Sequence, residues 1–148
     1  MNETLSDLET NISSTLKHVV ELKNQVERIE NQKLDQLRDI STGIIDILDS
    51  IEMIQERYQQ KGLDGNDEVS KVNARYLSVQ KKLILLLQKH GITKMEFPEN
   101  RLIVGWCEVT ETEPDPNKSN DEIISILRQG YIRGKEVIRS AQIITVKN

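Results

Sequence analysis

From Leu5 to Ile29 the apolar residues Leu5, Leu8, Ile12, Val19, Leu22, Val26 and Ile29 advance in steps of 3, 4, 7, 3, 4 and 3. This is a heptad seam with Thr15 at its one polar position. A helix on its own leaves such a stripe in water, whereas two or more helices paired along it bury the stripe. The spacing therefore predicts a dimerising coiled-coil helix over residues 1–40. Ser6 and Glu9 have the form of a capping box and mark its expected start. After Ile29 the rhythm passes through Lys33, Leu37 and Ile40, a stutter that locally unwinds a supercoil.

Ser41-Thr42-Gly43 is the weakest helical stretch, since an interior Gly costs about 1 kcal/mol relative to Ala. A bend or break is expected there. The pattern resumes with Ile44, Ile45, Ile47, Leu48, Ile51, Ile54 and Tyr58, then stops at the turn residues Lys61 to Asn66. A further amphipathic stripe follows at Val69, Val72, Tyr76, Val79, Leu83, Leu86 and His90. It closes on Lys89-His90-Gly91, a basic last turn followed by the residue suited to a left-handed cap. Residues 41–91 thus read as a helix hairpin. Two hairpins from two chains make a four-helix bundle, with Ile44, Ile47, Leu48, Ile51, Val79 and Leu83 at the dimer contact.

Beyond Gly91 the period becomes that of strands. Leu102 to Val109 is an apolar run of strand formers, and Thr110 to Asn120, with two prolines, is expected to be irregular. Glu122–Tyr131 and Glu136–Lys147 are β-rich runs joined by Ile132-Arg133-Gly134-Lys135, a hairpin signal. The expected class is α+β: a long N-terminal coiled-coil helix, a helix hairpin, and a small, mostly antiparallel β-domain over 92–148. A domain that small is marginal alone and is expected to lean on the helices.

Composition narrows the function. The net charge is −4, which argues against nucleic acid as the main partner. No apolar run approaches the roughly 20 residues that span a bilayer, so no membrane partner is expected. No secretory signal is visible, and the single Cys107 forms no internal disulfide; both point to a reducing, cytoplasmic setting. Between Glu96 and Glu122 there are eight acids and two bases; from Ile123 to Asn148 there are five bases and one acid.

Catalytic chemistry is missing. There is no Gly-rich phosphate loop followed by Lys-Ser/Thr. His18 and His90 have no partner at ligand spacing, and Cys107 has no nearby His. Glu108, Glu111, Glu113 and Asp115 lack the alternating ladder of a calcium loop. No cofactor and no metal are expected, and the chain reads as a protein that works by binding, not as an enzyme.

Three motifs carry a resemblance. Ile44-Ile45-Asp46-Ile47-Leu48-Asp49-Ser50-Ile51-Glu52 has the form apolar-apolar-Asp-x-Leu-Asp-x-apolar-Glu. Leu85 to Ile92 ends a helix on Lys89-His90-Gly91. Gly130-Tyr131 is followed by Arg139, Ala141 and apolar Ile143. In this order, over roughly residues 40–148, they resemble the GrpE family of nucleotide exchange factors for DnaK-type chaperones. The resemblance implies a homodimer whose β-domain docks on the chaperone ATPase domain and promotes ADP release, with Arg139, Tyr131, Gly130, Phe97, Leu102 and Arg133 at the contact. Departures exist: Leu102 stands where the family usually has His, Met53 where it commonly has Arg, and Ser140 where it has Pro. They motivate a rival reading, an adaptor of the same shape with little exchange activity. Tyr131 reads either as cover for a sheet edge or as a partner contact. Arg139 reads either as a cross-strand partner of Glu122 or Asp121 or as a free guanidinium. With Thr15, Lys33 and Gln36 near seam positions and a stutter at 29–40, the N-terminal helix is expected to melt before the β-domain, and the family picture implies that residues 1–40 could thereby act as a thermal regulator.

Overall fold

The computed structural model describes residues 2–148, with side chains from Thr4 onward. Two helices come first, α1 (Asn2–Gln60) and α2 (Asp67–Lys89). Six strands follow: β1 (Ile92–Lys94), β2 (Cys107–Glu113), β3 (Ile123–Arg128), β4 (Tyr131–Arg133), β5 (Glu136–Arg139) and β6 (Ala141–Val146). The architecture is α+β. Packing divides the chain into residues 1–40 and residues 41–148.

In the first unit the seam residues lie on one helix and remain about half exposed, from Leu5 at 60% to Ile29 at 50%. Leu16 and Val20, outside the heptad list, are equally exposed. The helix does not begin at Ser6. It is already formed at Asn2, and the Ser6 carbonyl accepts a hydrogen bond from Thr10 Oγ1 at 2.8 Å inside it. Thr15 likewise turns its hydroxyl back onto the Asn11 carbonyl at 2.8 Å, so this polar seam position is satisfied locally.

The expected break at Gly43 is absent, and α1 is helical through Ser41-Thr42-Gly43. The Gly penalty of about 1 kcal/mol is small beside the burial on either side of it. Ser41, Ile45 and Leu48 are each at most 2% exposed, and one buried Leu or Ile contributes roughly 1.5–3 kcal/mol. α2 starts at Asn66, whose side chain accepts from the backbone N–H groups of Glu68 and Val69. It ends at Lys89-His90-Gly91, with Gly91 at φ 76°, where a Cβ would be strained.

The strands form two three-stranded sheets, β1-β4-β5 and β2-β6-β3. All neighbours are antiparallel except β2 and β6, which run parallel. Two local expectations change. The run Leu102–Val109 is a strand only from Cys107: Ile103–Trp106 is a tight turn closed by Trp106 N–H to the Ile103 carbonyl at 3.1 Å, with Gly105 at φ 87°. Thr110–Glu113, expected to be irregular, continues β2, because the central strand β6 offers it a ladder as far as Val146. The long β-runs are also cut, at Gln129-Gly130 and at Ser140.

Two cores hold residues 41–148 together. The first joins Ile45 and Leu48 of α1, Leu87 of α2, and Ile92, Tyr131 and Ile138 of the first sheet. The second gathers Met95, Ile123, Ala141 and Ile143, with Phe97, Leu102 and Trp106 packed against it. Helices and first sheet therefore share one core across residue 91. The residues expected at the dimer contact occupy different settings within one chain. Leu48 and Ile51, at 1% and 5% exposure, are spent on packing inside one chain. Ile44 and Leu83 lean on the same core, while Ile47 and Val79 stay about half exposed.

Candidate partner-binding site

Asp46 and Asp49 lie one turn apart on α1, so both carboxylates project from one face. Two cations from the strands reach them. Arg139, at the end of β5, donates Nη1 to Asp49 Oδ2 at 2.7 Å and Nη2 to Asp49 Oδ1 at 2.9 Å. This two-bond fork is the strong geometry for an Arg–carboxylate pair. The same guanidinium donates from Nη2 and Nε to the Gln129 carbonyl at 2.7 and 3.1 Å. Arg128, at the end of β3, donates Nε to Asp49 Oδ2 at 3.0 Å and Nη2 to Asp46 Oδ1 at 3.1 Å. Asp49 is the hub of this cluster.

Burial by itself pushes the Asp49 carboxyl up, but the hydrogen bonds and charges of Arg139 and Arg128 outweigh it and hold the group below its ordinary 3.8. Arg139 also lies over the Tyr131 ring, 5.5 Å from its centre, in cation–π range. Tyr131 is 2% exposed. Its hydroxyl is pushed up to about 12 by burial and by the nearby carboxylates Glu52 and Asp49, against the opposing charge of Arg139. One turn further along α1, Glu52 pairs with Lys94 of β1 at 3.0 Å.

The residues expected at a partner contact thus occupy different settings. Arg139 is neither free nor paired with Glu122 or Asp121; its partner is Asp49, ninety positions away. Tyr131 covers the first core from within. Gly130 is required by close packing: a Cβ there would run into Met95 Sδ and stand 2.7 Å from the Ala141 nitrogen. Arg133 pairs with Glu136 at 2.8 Å. Phe97 and Leu102 pack, half-buried, on the second core. Arg139, Tyr131 and Gly130 are therefore brought together, Arg133 lies at the other end of β4, and Phe97 and Leu102 belong to a separate core.

The surface beside the hub is formed by residues that sequence reasoning did not place at a partner contact. Ile126 and Leu127 of β3 and Met53 of α1 are exposed apolar side chains. With Asp49, Glu52 and Gln142 they line a groove of about 290 Å³ between helix and strand. Asp49 and Glu52 stand in the first quoted motif, so a signal for the hub was present. Nothing in the local pattern joined it to Arg128 or Arg139. Among the described residues no group of His, Cys, Asp and Glu is arranged to hold a metal. No helix there is long and apolar enough to cross a membrane.

The chain has relatives among known proteins. The chain is similar to Protein GrpE of Helicobacter hepaticus, 28% identical over 131 residues, covering 85% of this chain and 65% of that one. It is similar to Protein GrpE of Ehrlichia canis, 24% identical over 155 residues, covering 99% and 75%. With Protein GrpE of Brucella melitensis the identity is 19% over 138 residues, covering 83% and 61%. The chain spans about three-fifths to two-thirds of the length of the Helicobacter and Brucella relatives. The sequence pattern of the GrpE family matches residues 1–147, and the chain belongs to that family.

Proposed function

We propose that the protein is a homodimeric co-chaperone that binds the ATPase domain of a DnaK-type chaperone and promotes release of ADP. The observation that carries this reading is the match of the GrpE family pattern across nearly the whole chain. Support for self-association comes from the half-exposed stripe Leu5 to Ile29, which a second copy of the helix would cover. In this reading the dimer has no catalytic group and works by differential binding in the cytoplasm.

The contact runs along the groove beside Asp49, where Met53, Ile126 and Leu127 stand exposed among charged and polar side chains and residues 92–148 supply the strand side, and the buried Arg139, Tyr131 and Gly130 act as its support. The acidic stretch Glu96–Glu122 and the basic end of the chain orient the encounter. Energetically the factor needs tighter binding to the open, nucleotide-free ATPase than to the closed, ADP-bound form. By linkage ADP then weakens factor binding by the same ratio, and a coupling of about 3 kcal/mol corresponds to roughly 150-fold.

The test is the release rate of a fluorescent ADP from the cognate chaperone, with and without the purified protein. Acceleration is expected; an unchanged rate sinks the exchange reading. Leu102, where the family usually has His, favours a second reading as an adaptor without exchange activity. That reading expects chaperone affinity to be the same with and without ADP in a calorimetric titration.

A further inference from the structure

The first sheet, β1-β4-β5, ends on β1 at one side. Just past β1, Met95 N–H donates to the Gly130 carbonyl at 2.9 Å, in line with the antiparallel β1–β4 ladder. Bonded pairs of such a ladder recur at every second residue, so the next one is Thr93 with Ile132. The N–H and C=O of Lys94, between them, therefore point out of the sheet. Among the described residues no other backbone group bonds to them. An open edge of this kind is a template for one more strand.

A hollow lies on each face of the edge. The ladder sets Lys94 opposite Tyr131 on one face and Thr93 opposite Ile132 on the other. On the first face a hollow of about 230 Å³ is walled by Ile84 and Leu87 of α2 together with Ile92 and Tyr131. On the second face one of about 340 Å³ is walled by Trp106 and Ile132. Thr93, Lys94 and Glu96 border both hollows, which thus straddle the edge. Lys94 is committed to Glu52 at 3.0 Å, whereas exposed Glu96 has no cationic partner among the described residues.

We propose that the open edge of β1 takes an extended peptide segment by strand addition, one with two adjacent apolar residues beside a Lys or Arg. Consecutive side chains of an added strand point to opposite faces, so the two apolar residues enter the two hollows and the cation meets Glu96. Backbone bonds to Lys94 hold the segment, and the hollows select its sequence. β1 has only three residues, too short an edge to hold a strand by backbone bonds alone. The site shares no lining residue with the groove beside Asp49 and stands apart from the docking proposed there.

The probe is a fluorescein-labelled octapeptide, Ser-Thr-Arg-Val-Leu-Arg-Thr-Ser, titrated into the full chain by fluorescence anisotropy. Saturable binding is expected, and replacing Val-Leu by Ser-Ser should abolish it. Methylating one alternate set of peptide nitrogens should remove binding, while methylating the other set leaves it. Lys94→Pro deletes the outward N–H without a ladder bond, which an edge strand tolerates. It should bind roughly two- to tenfold more weakly than Lys94→Ala, which loses the Glu52 pair but keeps the N–H. Glu96→Lys should weaken this peptide and favour one with Glu in place of Arg. Absence of saturable binding, equal effects of the two methylated sets, or equal affinity of Lys94→Pro and Lys94→Ala overturns the proposal. So does a fall in sedimentation mass in Lys94→Pro, which gives the edge to a second copy. The methylated peptides decide the matter even where Lys94→Pro lowers the urea midpoint.

Discussion

Replacing Asp49 with Asn tests whether one charge pair seats the first sheet on α1. The substitution keeps the shape and removes the charge that two guanidiniums share. Arg139 is hit hardest, with its side chain 11% exposed and both of its fork bonds on Asp49. The Gln129 carbonyl remains as an acceptor but carries no charge. Breaking a fully buried pair costs about 3–5 kcal/mol, while an exposed one is worth roughly 0–1. Asp49 is 22% exposed and Arg139 less, so a loss of about 2–3 kcal/mol is expected, weighed down from the buried case for partial solvation. Against a total stability of roughly 5–15 kcal/mol this is large. Urea unfolding followed by the single Trp106 and by far-ultraviolet circular dichroism reads it directly. Arg128→Ala is the internal control: its side chain is 42% exposed, and a loss of no more than about 1 kcal/mol is expected. Asp49→Leu with Arg139→Met should recover most of the loss, since apolar replacement of a buried pair is often neutral. If Asp49→Asn costs no more than Arg128→Ala, the hub does not seat the sheet.

The same cluster sets two pH windows. The Asp49 pKa is lower in the folded chain than its ordinary 3.8, so its contribution is complete above that value and is lost as pH falls through the folded pKa. Acid titration of stability should therefore lose a component in Asp49→Asn. The Tyr131 hydroxyl is raised from 10.0 to about 12, so its contribution is complete below pH 10 and is lost as pH rises toward 12. At about 1.4 kcal/mol per pH unit this amounts to at most about 3 kcal/mol. Tyr131→Phe should flatten that alkaline loss and remove the latest step of the tyrosinate absorbance titration. Gly130→Ala drives a methyl into Met95 and the Ala141 backbone, and a loss above about 2 kcal/mol is expected in the same urea assay. Ile12→Lys with Val19→Lys should lower the sedimentation-equilibrium mass toward one chain; an unchanged dimer mass counts against pairing along that stripe.

Periodicity made the helices legible because a stripe such as Val69, Val72, Tyr76 and Val79 records a helical spacing whatever covers it. It failed at Gly43, where a local penalty of about 1 kcal/mol suggested a break. The burial of Ile45 and Leu48, which decides the matter, depends on strands up to about ninety positions away. It failed again at Leu102–Val109. Leu102 and Trp106 are apolar because they pack on the second core, and they do so from irregular chain. An apolar run reports burial; conformation has to come from elsewhere. The two sheets were legible as strand-rich segments, but the parallel pairing of β2 with β6 was not, since a strand's partner is chosen by topology and not by its own residues.

The site divides along the same line. Gly130, Tyr131 and Arg139 were conspicuous in the sequence because their surroundings tolerate few alternatives: a glycine against Met95, a ring under a guanidinium, a fork on Asp49. Those are demands of the interior, and they explain why residues marked for a partner contact proved buried. The exposed groove residues Ile126 and Leu127 meet no comparable intrachain demand and left no mark in the local pattern, while Met53 stood out only as a departure from the family motif. The motif residues and the proposed docking residues should then separate by experiment. Variants of Arg139 or Gly130 should lose stability and chaperone binding together. Leu127→Asp should lose binding while the urea midpoint stays put, because Leu127 is 57% exposed.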